Sequence, residues 1–161
     1  MILIYSDQFG ELPIAGLLLP SSSSTTRMRT IPIQIRFSDV DMARHVHNAV
    51  YLHWFELARM ELLREVTPPV HDWRSEGLIL ARNEVDYRMP VHLTDGIEAV
   101  VWCGALGSKS FDLHYRIQRT TGPKPGVCAE GRSVMVCFDY IAETTIAIPS
   151  SWRTALEALQ K

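Results

Sequence analysis

The residues best able to do chemistry fall in one short stretch of the chain. Two carboxylates, Asp39 and Asp41, and two imidazoles, His45 and His47, lie within nine residues. The stretch leads into residues 49–66, which contain no Gly or Pro and predict a helix. A helix N-terminus carries unpaired amides and a partial positive charge, which suit a developing oxyanion. With a carboxylate nearby to activate water or to attack a carbonyl, this arrangement allows acyl-transfer chemistry.

The same residue types also have ordinary structural roles, and these remain open. Asp, His and Asn often serve as caps and turn formers in loops before helices. Asn48 is expected to be the helix N-cap, with its side chain accepting a hydrogen bond from an amide one turn into the helix. His45 is a candidate proton carrier or an orienter of Asp41, with a purely structural hydrogen-bonding role as the alternative.

His45 and His47 do not predict a metal site. Alternate residues of an extended stretch point to opposite sides, and no third ligand stands at a recognised spacing. The three cysteines, Cys103, Cys128 and Cys137, also lack metal-binding or redox spacings. Their odd number and apolar surroundings indicate reduced core thiols in a cytoplasmic protein.

The elements that must position this stretch are one helix and one sheet. The helix is apolar on more than half of its surface, so we expect it to be buried. Alternating apolar and polar residues predict a first strand before the chemical stretch and four more after the helix. The predicted strands cover residues 31–37, 78–89, 97–106, 110–119 and 127–140, and a short helix covers residues 152–160. The fold class is therefore α+β, with an antiparallel sheet wrapped around one long central helix.

Composition sets outer limits on the function. With 161 residues, 47% of them hydrophobic and 21% charged, the chain suits one soluble domain with a real core. The net charge of −2 provides no basic field for nucleic acid, and no apolar run reaches the ~20 residues that a membrane span needs. Residues 1–30 are expected to be an N-terminal extension with a Ser/Thr-rich linker, and residues 31–161 the domain.

Several motifs together resemble the signature of the hotdog thioesterases. The resemblance is closest to the 4-hydroxybenzoyl-CoA thioesterase-like branch, which includes many acyl-CoA thioesterases, and it spans about residues 31–140. It is more specific for the family than for the substrate. The matching segments are Phe37 to Asp41, His45 to Asn48, Tyr51-Leu52, Phe55-Glu56, Ala58-Arg59, Asp86-Tyr87-Arg88 with Pro90, Asp95-Gly96, Lys109-Ser110-Phe111 and Arg119-Thr120-Thr121.

The resemblance implies hydrolysis of an acyl-CoA to a carboxylic acid and free coenzyme A. Asp41 would be the nucleophile or general base, and amides around residues 47–50 would hold the oxyanion. No cofactor is implied, because coenzyme A is part of the substrate. The protein would be a homodimer or homotetramer with active sites between subunits. Further implied site residues are His45, Asn48 and Ser110 for catalysis, and His47, Val50, Tyr51, Arg88 and Lys109 for substrate binding.

The chain departs from the family pattern at a few positions. Arg44 stands where relatives often have a glycine, and His47 where an asparagine is common. Gly107 and Ser108 stand where one branch carries arginines for the coenzyme A phosphates. Phosphate recognition would then fall to other arginines, for which the candidates are Arg82, Arg88 and Arg132.

Three other functions fit the same fold. An acyl-carrier-protein thioesterase would need a basic docking surface, which the sequence does not clearly offer. A dehydratase or hydratase would need a His and an acidic residue arranged across a double bond, and that motif is not found. A non-catalytic acyl-binding protein stays open as the third alternative, because of the departures at Arg44 and His47.

Overall fold

A computed structural model describes residues 26–122 and 124–161, so the expected extension falls mostly outside the described residues. Antiparallel strands form one sheet in the order β1-β3-β4-β5-β2, with β6 paired to β5. The strands are β1 (Arg29–Ile33), β2 (Glu76–Tyr87), β3 (Ile97–Leu106), β4 (Ser110–Arg119), β5 (Gly126–Asp139) and β6 (Thr144–Thr145), and the helices are α1 (Val50–Val66) and α2 (Ser150–Leu159).

The core lies between α1 and one face of the sheet. Along β4, every second residue from Phe111 to Ile117 is buried, which is the pattern of a strand with one covered face. Phe55 of α1 stacks on Tyr115 of β4, with ring centroids 4.4 Å apart. Tyr115 pairs with Gly131 of β5, where a Cβ atom would collide with the Phe55 ring. The predicted α+β fold, a sheet around a central helix, is confirmed.

The first strand ends earlier than predicted. Residues 31–37 were expected to form it, but β1 is Arg29–Ile33 and Phe37 is 86% exposed in a 3-10 turn, Phe37–Asp39. The Asp39 carboxylate closes this turn by accepting the Arg36 amide at 2.8 Å. The apolar alternation continues past the point where the chain leaves the sheet, so the pattern alone extends the strand too far.

Helix α1 keeps part of its apolar surface open to solvent. Its residues Leu57 and Met60 are 53% and 45% exposed, while Phe55, Ala58 and Leu62 on the opposite face are fully buried. The expectation that the whole helix is buried is therefore only partly right. A single chain leaves an apolar strip on α1 uncovered.

Different segments of the chain lie at the two ends of the sheet. Ile33, the last residue of β1, pairs with Ile97, the first residue of β3, so the loop after β1 and the start of α1 lie at this end. We call it the helix-start end. At the other end β3 turns into β4 through residues 107–109, and we call this the hairpin end. A ten-residue strand spans roughly 30 Å, which separates the two ends.

Candidate active site

A tight turn holds Asp41 in place at the helix-start end. Val40 and Val46 form an antiparallel bridge, and the fully buried Val46 donates its amide to the Val91 carbonyl at 2.8 Å. Within the turn, the Asp41 amide donates to the His45 carbonyl and the Arg44 amide donates to the Asp41 carbonyl, both at 2.9 Å. Backbone contacts therefore fix the position from which the Asp41 side chain projects.

The Asp41 carboxylate has one oxygen held and one oxygen available. Oδ1 accepts the amides of Ala43 at 2.8 Å and His45 at 3.3 Å. Oδ2 has no hydrogen-bond partner within the described part of the chain, and the residue is half-buried. A carboxylate held in this way presents its second oxygen in a defined direction, as a base or nucleophile requires.

The amides at the start of α1 differ in their availability. Ala49 donates to Nδ1 of His47 at 3.2 Å, and Val50 donates to the His47 carbonyl at 2.9 Å. The Asn48 amide has no hydrogen-bond partner among the residues described. Of these three amides, that of Asn48 can donate to a further oxygen without giving up a hydrogen bond to the described residues.

Asn48 is not the helix N-cap, contrary to expectation. The N-cap position is Ala49, and no side chain makes a capping bond there. The Asn48 carbonyl accepts the Tyr87 hydroxyl at 2.9 Å, while its side-chain Oδ1 is buried without a partner among the described residues. His47 supplies the acceptor instead, because its ring nitrogen reaches the amide two residues on, as an asparagine side chain does in an Asx turn.

Arg44 adopts a backbone conformation that favours glycine. Its φ angle is 63°, in the left-handed region where a Cβ atom crowds the backbone. A glycine would adopt this conformation without a Cβ clash, so the arginine adds strain to the turn. The turn nevertheless contains the hydrogen bond from the Arg44 amide to the Asp41 carbonyl.

Two residues beside the site were missed by sequence reasoning. Tyr87, at the end of β2, orients the Asn48 peptide, and burial raises the pKa of its hydroxyl. His92 lies with its ring against the ring of His45, with centroids 5.1 Å apart and an interplanar angle of 75°. The sequence carried only weak signals for these two residues, a family-like strand end around Tyr87 and a His-x-x-Asp turn from His92 to Asp95.

The predicted site residues separate between the two ends of the sheet. Lys109 and Ser110 lie at the hairpin end, where Lys109 Nζ donates to the Thr145 carbonyl at 2.8 Å and to its hydroxyl at 3.1 Å. A single chain therefore does not bring them to Asp41. The others belong to the helix-start end, and they are Asp41, His45, His47, Asn48, Val50, Tyr51 and Arg88.

The arginines proposed for phosphate already have carboxylate partners. Arg88 lies 3.1 Å from Asp86 and 3.7 Å from Glu130. Arg82 and Arg132 both contact Glu84, at 2.7 and 3.5 Å. A phosphate binding at any of these arginines would have to compete with an ion pair.

An open cleft of about 450 Å³ runs along α1 near its start. Tyr51 is not one of its wall residues, because it is 1% exposed and packs in the core against Trp54 and Tyr87. Three apolar and six polar residues line the cleft, so it is not the wholly apolar tunnel that an acyl chain suggests. It is lined by Val50, Trp54, Leu57, Gln34, Arg36, Ser38, Asp39, His53 and Glu56.

Metal-binding clusters and membrane-spanning helices are both absent from the described residues. Residues 26–122 and 124–161 contain no group of three or more His, Cys, Asp or Glu side chains placed to hold a metal ion. Within the same ranges, no helix has the length and apolar character needed to cross a membrane.

Known proteins resemble this chain in sequence. Residues 35–156 match the model of the thioesterase-like superfamily. The long-chain acyl-CoA thioesterase FadM of Escherichia coli K12 is 27% identical over 132 residues, which cover 80% of this chain and 97% of FadM. The acyl-CoA thioester hydrolase YbgC of Escherichia coli O157:H7 is 24% identical over 127 residues, covering 74% and 89%.

Solved structures share the fold. A thioesterase from Thermus thermophilus, complexed with coenzyme A and Zn, is 28% identical with a TM-score of 0.70, covering 81% of this chain and 92% of that one. A 4-hydroxybenzoyl-CoA thioesterase mutant bound to 4-hydroxybenzoyl-CoA is 18% identical with a TM-score of 0.72, covering 81% and 99%. The chain therefore belongs to the thioesterase-like superfamily and is a hotdog-fold thioester hydrolase.

Proposed function

We propose that this protein hydrolyses acyl-coenzyme A thioesters, with Asp41 at the centre of catalysis. The observation that carries the proposal is the Asp41 carboxylate, with Oδ1 fixed by two amides and Oδ2 unpartnered within the described residues. Two relatives support the choice of substrate, since FadM is named for long-chain acyl-CoA and the Thermus thermophilus structure contains coenzyme A.

The reaction has two routes from this geometry. As a general base, Asp41 takes a proton from water while the water oxygen bonds to the thioester carbon. As a nucleophile, its Oδ2 bonds to that carbon and forms an anhydride, which water then hydrolyses. In both routes the C–S bond breaks and the coenzyme A thiolate takes up a proton, for which His45 is the proposed donor. Neither route needs a metal or redox cofactor.

The developing oxyanion is proposed to lie at the start of α1. The Asn48 amide is the available donor there, and the helix dipole adds partial positive charge. Loss of one such donor typically slows a hydrolase by 10²–10³-fold. We expect roughly the same effect if the Asn48 peptide rotated so that its N–H no longer pointed at the oxyanion. Tyr87, which holds the Asn48 carbonyl at 2.9 Å, would keep that amide aimed.

The site is proposed to be completed by a second copy of the chain. Strand β2 pairs only with β5 among the described residues, so its other edge is open, and Ile79 and Leu80 on it are 37% and 40% exposed. Antiparallel pairing of two β2 edges reverses the second sheet. The hairpin end of one copy then lies at the helix-start end of the other, which brings Lys109 and Ser110 toward Asp41 of the first copy. A homodimer, or a homotetramer built from it, follows.

The remaining substrate contacts are proposed along the helix-start end. Val50 lines the cleft, and His47 is hydrogen-bonded to two residues that line it, Asp39 and Val50, so Val50 and His47 would meet the acyl group or the pantetheine arm. Tyr51 would act from beneath, by packing behind the site. Arg88 would exchange its carboxylate partners for a coenzyme A phosphate. The free, buried cysteines support a reducing compartment, and we place the protein in the cytoplasm.

The test is thiol release from short, long and aromatic acyl-CoAs by the purified protein and by Asp41→Asn. We expect turnover on at least one class and a loss of about 10³-fold or more in Asp41→Asn, because the amide is neither base nor nucleophile. Asp72→Asn is the matched control. Asp72 is an exposed carboxylate in the loop between α1 and β2, and its replacement should leave turnover unchanged.

Two outcomes would overturn the proposal. Turnover that survives in Asp41→Asn would place the catalytic centre elsewhere. Absence of turnover on every acyl-CoA would move the assay to acyl-carrier-protein thioesters, and tight acyl-CoA binding without turnover would identify a non-catalytic acyl-binding protein.

A further inference from the structure

We infer that Arg153 of α2, together with Lys109, binds a phosphate group of coenzyme A. The inference rests on the proposed function, in which the substrate is an acyl-CoA and a second copy of the chain brings Lys109 and Ser110 toward Asp41. It adds a residue to the site, because Arg153 lies in the short C-terminal helix, to which the sequence assigned no function.

A coenzyme A substrate needs cations that carboxylates have not already neutralised. Coenzyme A carries a diphosphate and a 3′-phosphate, and arginine and lysine bind such groups through charge-assisted hydrogen bonds. The arginines first considered for this role, Arg82, Arg88 and Arg132, each contact at least one carboxylate. Arg153 and Lys109 differ from them, because every side-chain hydrogen bond that they donate to the described residues goes to an uncharged oxygen.

Arg153 is held against the turn between β3 and β4. Its Nη2 donates to the Gly107 carbonyl and lies 3.4 Å from the Ser108 carbonyl. The Ser108 carbonyl also accepts the Ile148 amide at 2.9 Å, so the segment that leads into α2 is fixed to the same turn. The Arg153 side chain is 35% exposed, which leaves it accessible to a ligand.

More than half of the Arg153 donors remain available. A guanidinium has five N–H groups, and only Nη2 faces the carbonyls of the turn. The three N–H groups on Nε and Nη1 make no hydrogen bond to the described residues. The Glu157 carboxylate is 3.9 Å from Nη1, beyond hydrogen-bonding distance, and it is 53% exposed, so solvent weakens its attraction for Arg153.

Lys109 adds a second positive charge at the same turn. Its Nζ donates to the Thr145 carbonyl at 2.8 Å and to the Thr145 hydroxyl at 3.1 Å, which leaves one of its three N–H groups for another acceptor. Residues 145–153 therefore anchor both cations to residues 107–109. Three N–H groups of Arg153 and one of Lys109 are available to the oxygens of a phosphate.

The location suits the shape of the substrate. The pantetheine arm separates the thioester from the phosphates, so the phosphates must bind away from the reacting carbon. The proposed pairing of two copies through β2 brings the hairpin end of one copy to Asp41 of the other, and Arg153 and Lys109 lie at that hairpin end. Arg88, at the helix-start end, stays the candidate for a different phosphate group of the same molecule.

The first test measures the affinity for coenzyme A itself and does not depend on turnover. Isothermal titration calorimetry compares the parent protein with Arg153→Gln and Arg153→Lys. We expect coenzyme A to bind Arg153→Gln about ten-fold more weakly, because one charge-assisted contact to a phosphate is lost. Arg153→Lys keeps the positive charge and should retain most of the affinity.

The second test uses turnover to separate phosphate binding from a structural role. With an acyl-CoA, the KM of Arg153→Gln should rise by about ten-fold while kcat stays within about two-fold of the parent. With the corresponding acyl-pantetheine, which has no phosphate, the variant and the parent should have the same kcat/KM. A turn displaced by the substitution would instead move Ser110 and slow both substrates, which would contradict the inference.

A third ligand identifies the phosphate group that Arg153 contacts. If Arg153 contacts the 3′-phosphate, 3′-dephospho-coenzyme A should bind the parent and Arg153→Gln equally. If it contacts the diphosphate, the difference between the two proteins should remain. Arg64→Gln is the matched control, since Arg64 is a 74% exposed arginine of α1 that pairs with Glu61, and loss of its charge should leave coenzyme A binding unchanged.

The outcomes separate this inference from the proposed function. Unchanged coenzyme A affinity and unchanged KM in Arg153→Gln would overturn the phosphate site, even in a fully active thioesterase. A protein inactive on every thioester, but with coenzyme A affinity that depends on Arg153, would support the phosphate site while refuting the reaction proposed for it.

Discussion

Asp41 owes its position to the backbone of its own turn. Its amide, its carbonyl and its Oδ1 atom all take part in hydrogen bonds with backbone groups of residues 43–45. An asparagine at this position retains a side-chain oxygen for the two amides and leaves the backbone bonds intact. Asp41→Asn therefore tests chemistry more than folding, which is why the activity assay depends on it.

Arg44 provides a prediction about stability at the same turn. Its φ angle of 63° should make Arg44→Gly more stable than Arg44→Ala by about 1 kcal/mol, because only glycine adopts this conformation without a Cβ clash. Both variants remove the same charged side chain, so the difference between their free energies of unfolding reports the backbone strain. Urea unfolding measures these free energies. Equal midpoints for the two variants would show that the turn relaxes around a Cβ atom at no cost.

Part of the candidate site could be predicted because its contacts are local. Type and spacing before a helix marked Asp41, His45 and His47 as candidates, with caps and turns as the alternative, and the structure places them in one turn. Their roles in catalysis and binding stay predictions. Asn48 was assigned the wrong role because a histidine one residue earlier provides the acceptor that capping requires. His92 reaches His45 through a tertiary contact, and nothing in the local spacing reveals such a contact.

Strand β2 is the element proposed to pair with a second copy of the chain. Its open edge and its exposed residues Ile79 and Leu80 predict that Ile79→Lys with Leu80→Lys will dissociate the protein, because lysine on an edge opposes strand pairing. Thiol release per chain should then fall at concentrations where the double variant is monomeric. Analytical ultracentrifugation alongside the activity assay measures both effects.

The control for the edge is a lysine on a different surface. Val70 is 95% exposed in the loop after α1, so Val70→Lys should change neither assembly nor activity. A parent protein that is monomeric and fully active at assay concentrations would contradict the role assigned to β2. It would also leave Lys109 and Ser110 without a route to Asp41.

The predicted limits of β3 and β4 agree with the structure. In β4 apolar and polar residues alternate cleanly from Phe111 to Ile117, whereas β3 is a nearly continuous apolar run that ends before the turn at Gly107. The predicted end of the first strand at Phe37 was wrong, because the Arg36 amide donates to the Asp39 side chain and the chain leaves the sheet. The spacing of apolar residues does not indicate where a side chain accepts a hydrogen bond from a backbone amide.

At the scale of the whole molecule, burial of ionisable groups predicts a loss of stability in alkali. Burial raises the pKa of the Cys103 thiol to about 12 and that of Cys137 to about 11, from an ordinary value of 9.0. The unfolded chain loses these protons near pH 9 while the folded chain keeps them. The stabilisation is thus complete below pH 9 and decreases as the pH rises toward 12.

The midpoint temperature of thermal unfolding should therefore decrease as the pH is raised from 9 to 11. Cys103 should account for a loss on the order of 2 kcal/mol in the free energy of unfolding. Cys103→Val fills a similar volume without an ionisable group, so its midpoint temperature should decrease less steeply with pH. Scanning calorimetry across this range makes the comparison. A Cys103→Val protein as sensitive to alkali as its parent would place the effect on other groups, such as Tyr115, whose pKa burial also raises.

The division of the site between two ends of the sheet could not be predicted from spacing. Asp41 follows β1 and Ser110 begins β4, yet the strand directions place them at opposite ends of the sheet in one chain. The direction of each strand follows from the complete order of the sheet, which no single motif encodes. The family resemblance implies that these residues form one site, and the proposed pairing of two chains through β2 is what would bring them together.

His47 has a consequence for how relatives of this protein are recognised. The turn before α1 needs an unprotonated acceptor within reach of the Ala49 amide, and an imidazole nitrogen meets that need at 3.2 Å. A sequence motif that requires asparagine at this position would reject this histidine. A structural criterion that requires a side-chain acceptor near the Ala49 amide would accept histidine, asparagine and aspartate. Divergent sequences that the motif rejects at this position can therefore keep the same helix start.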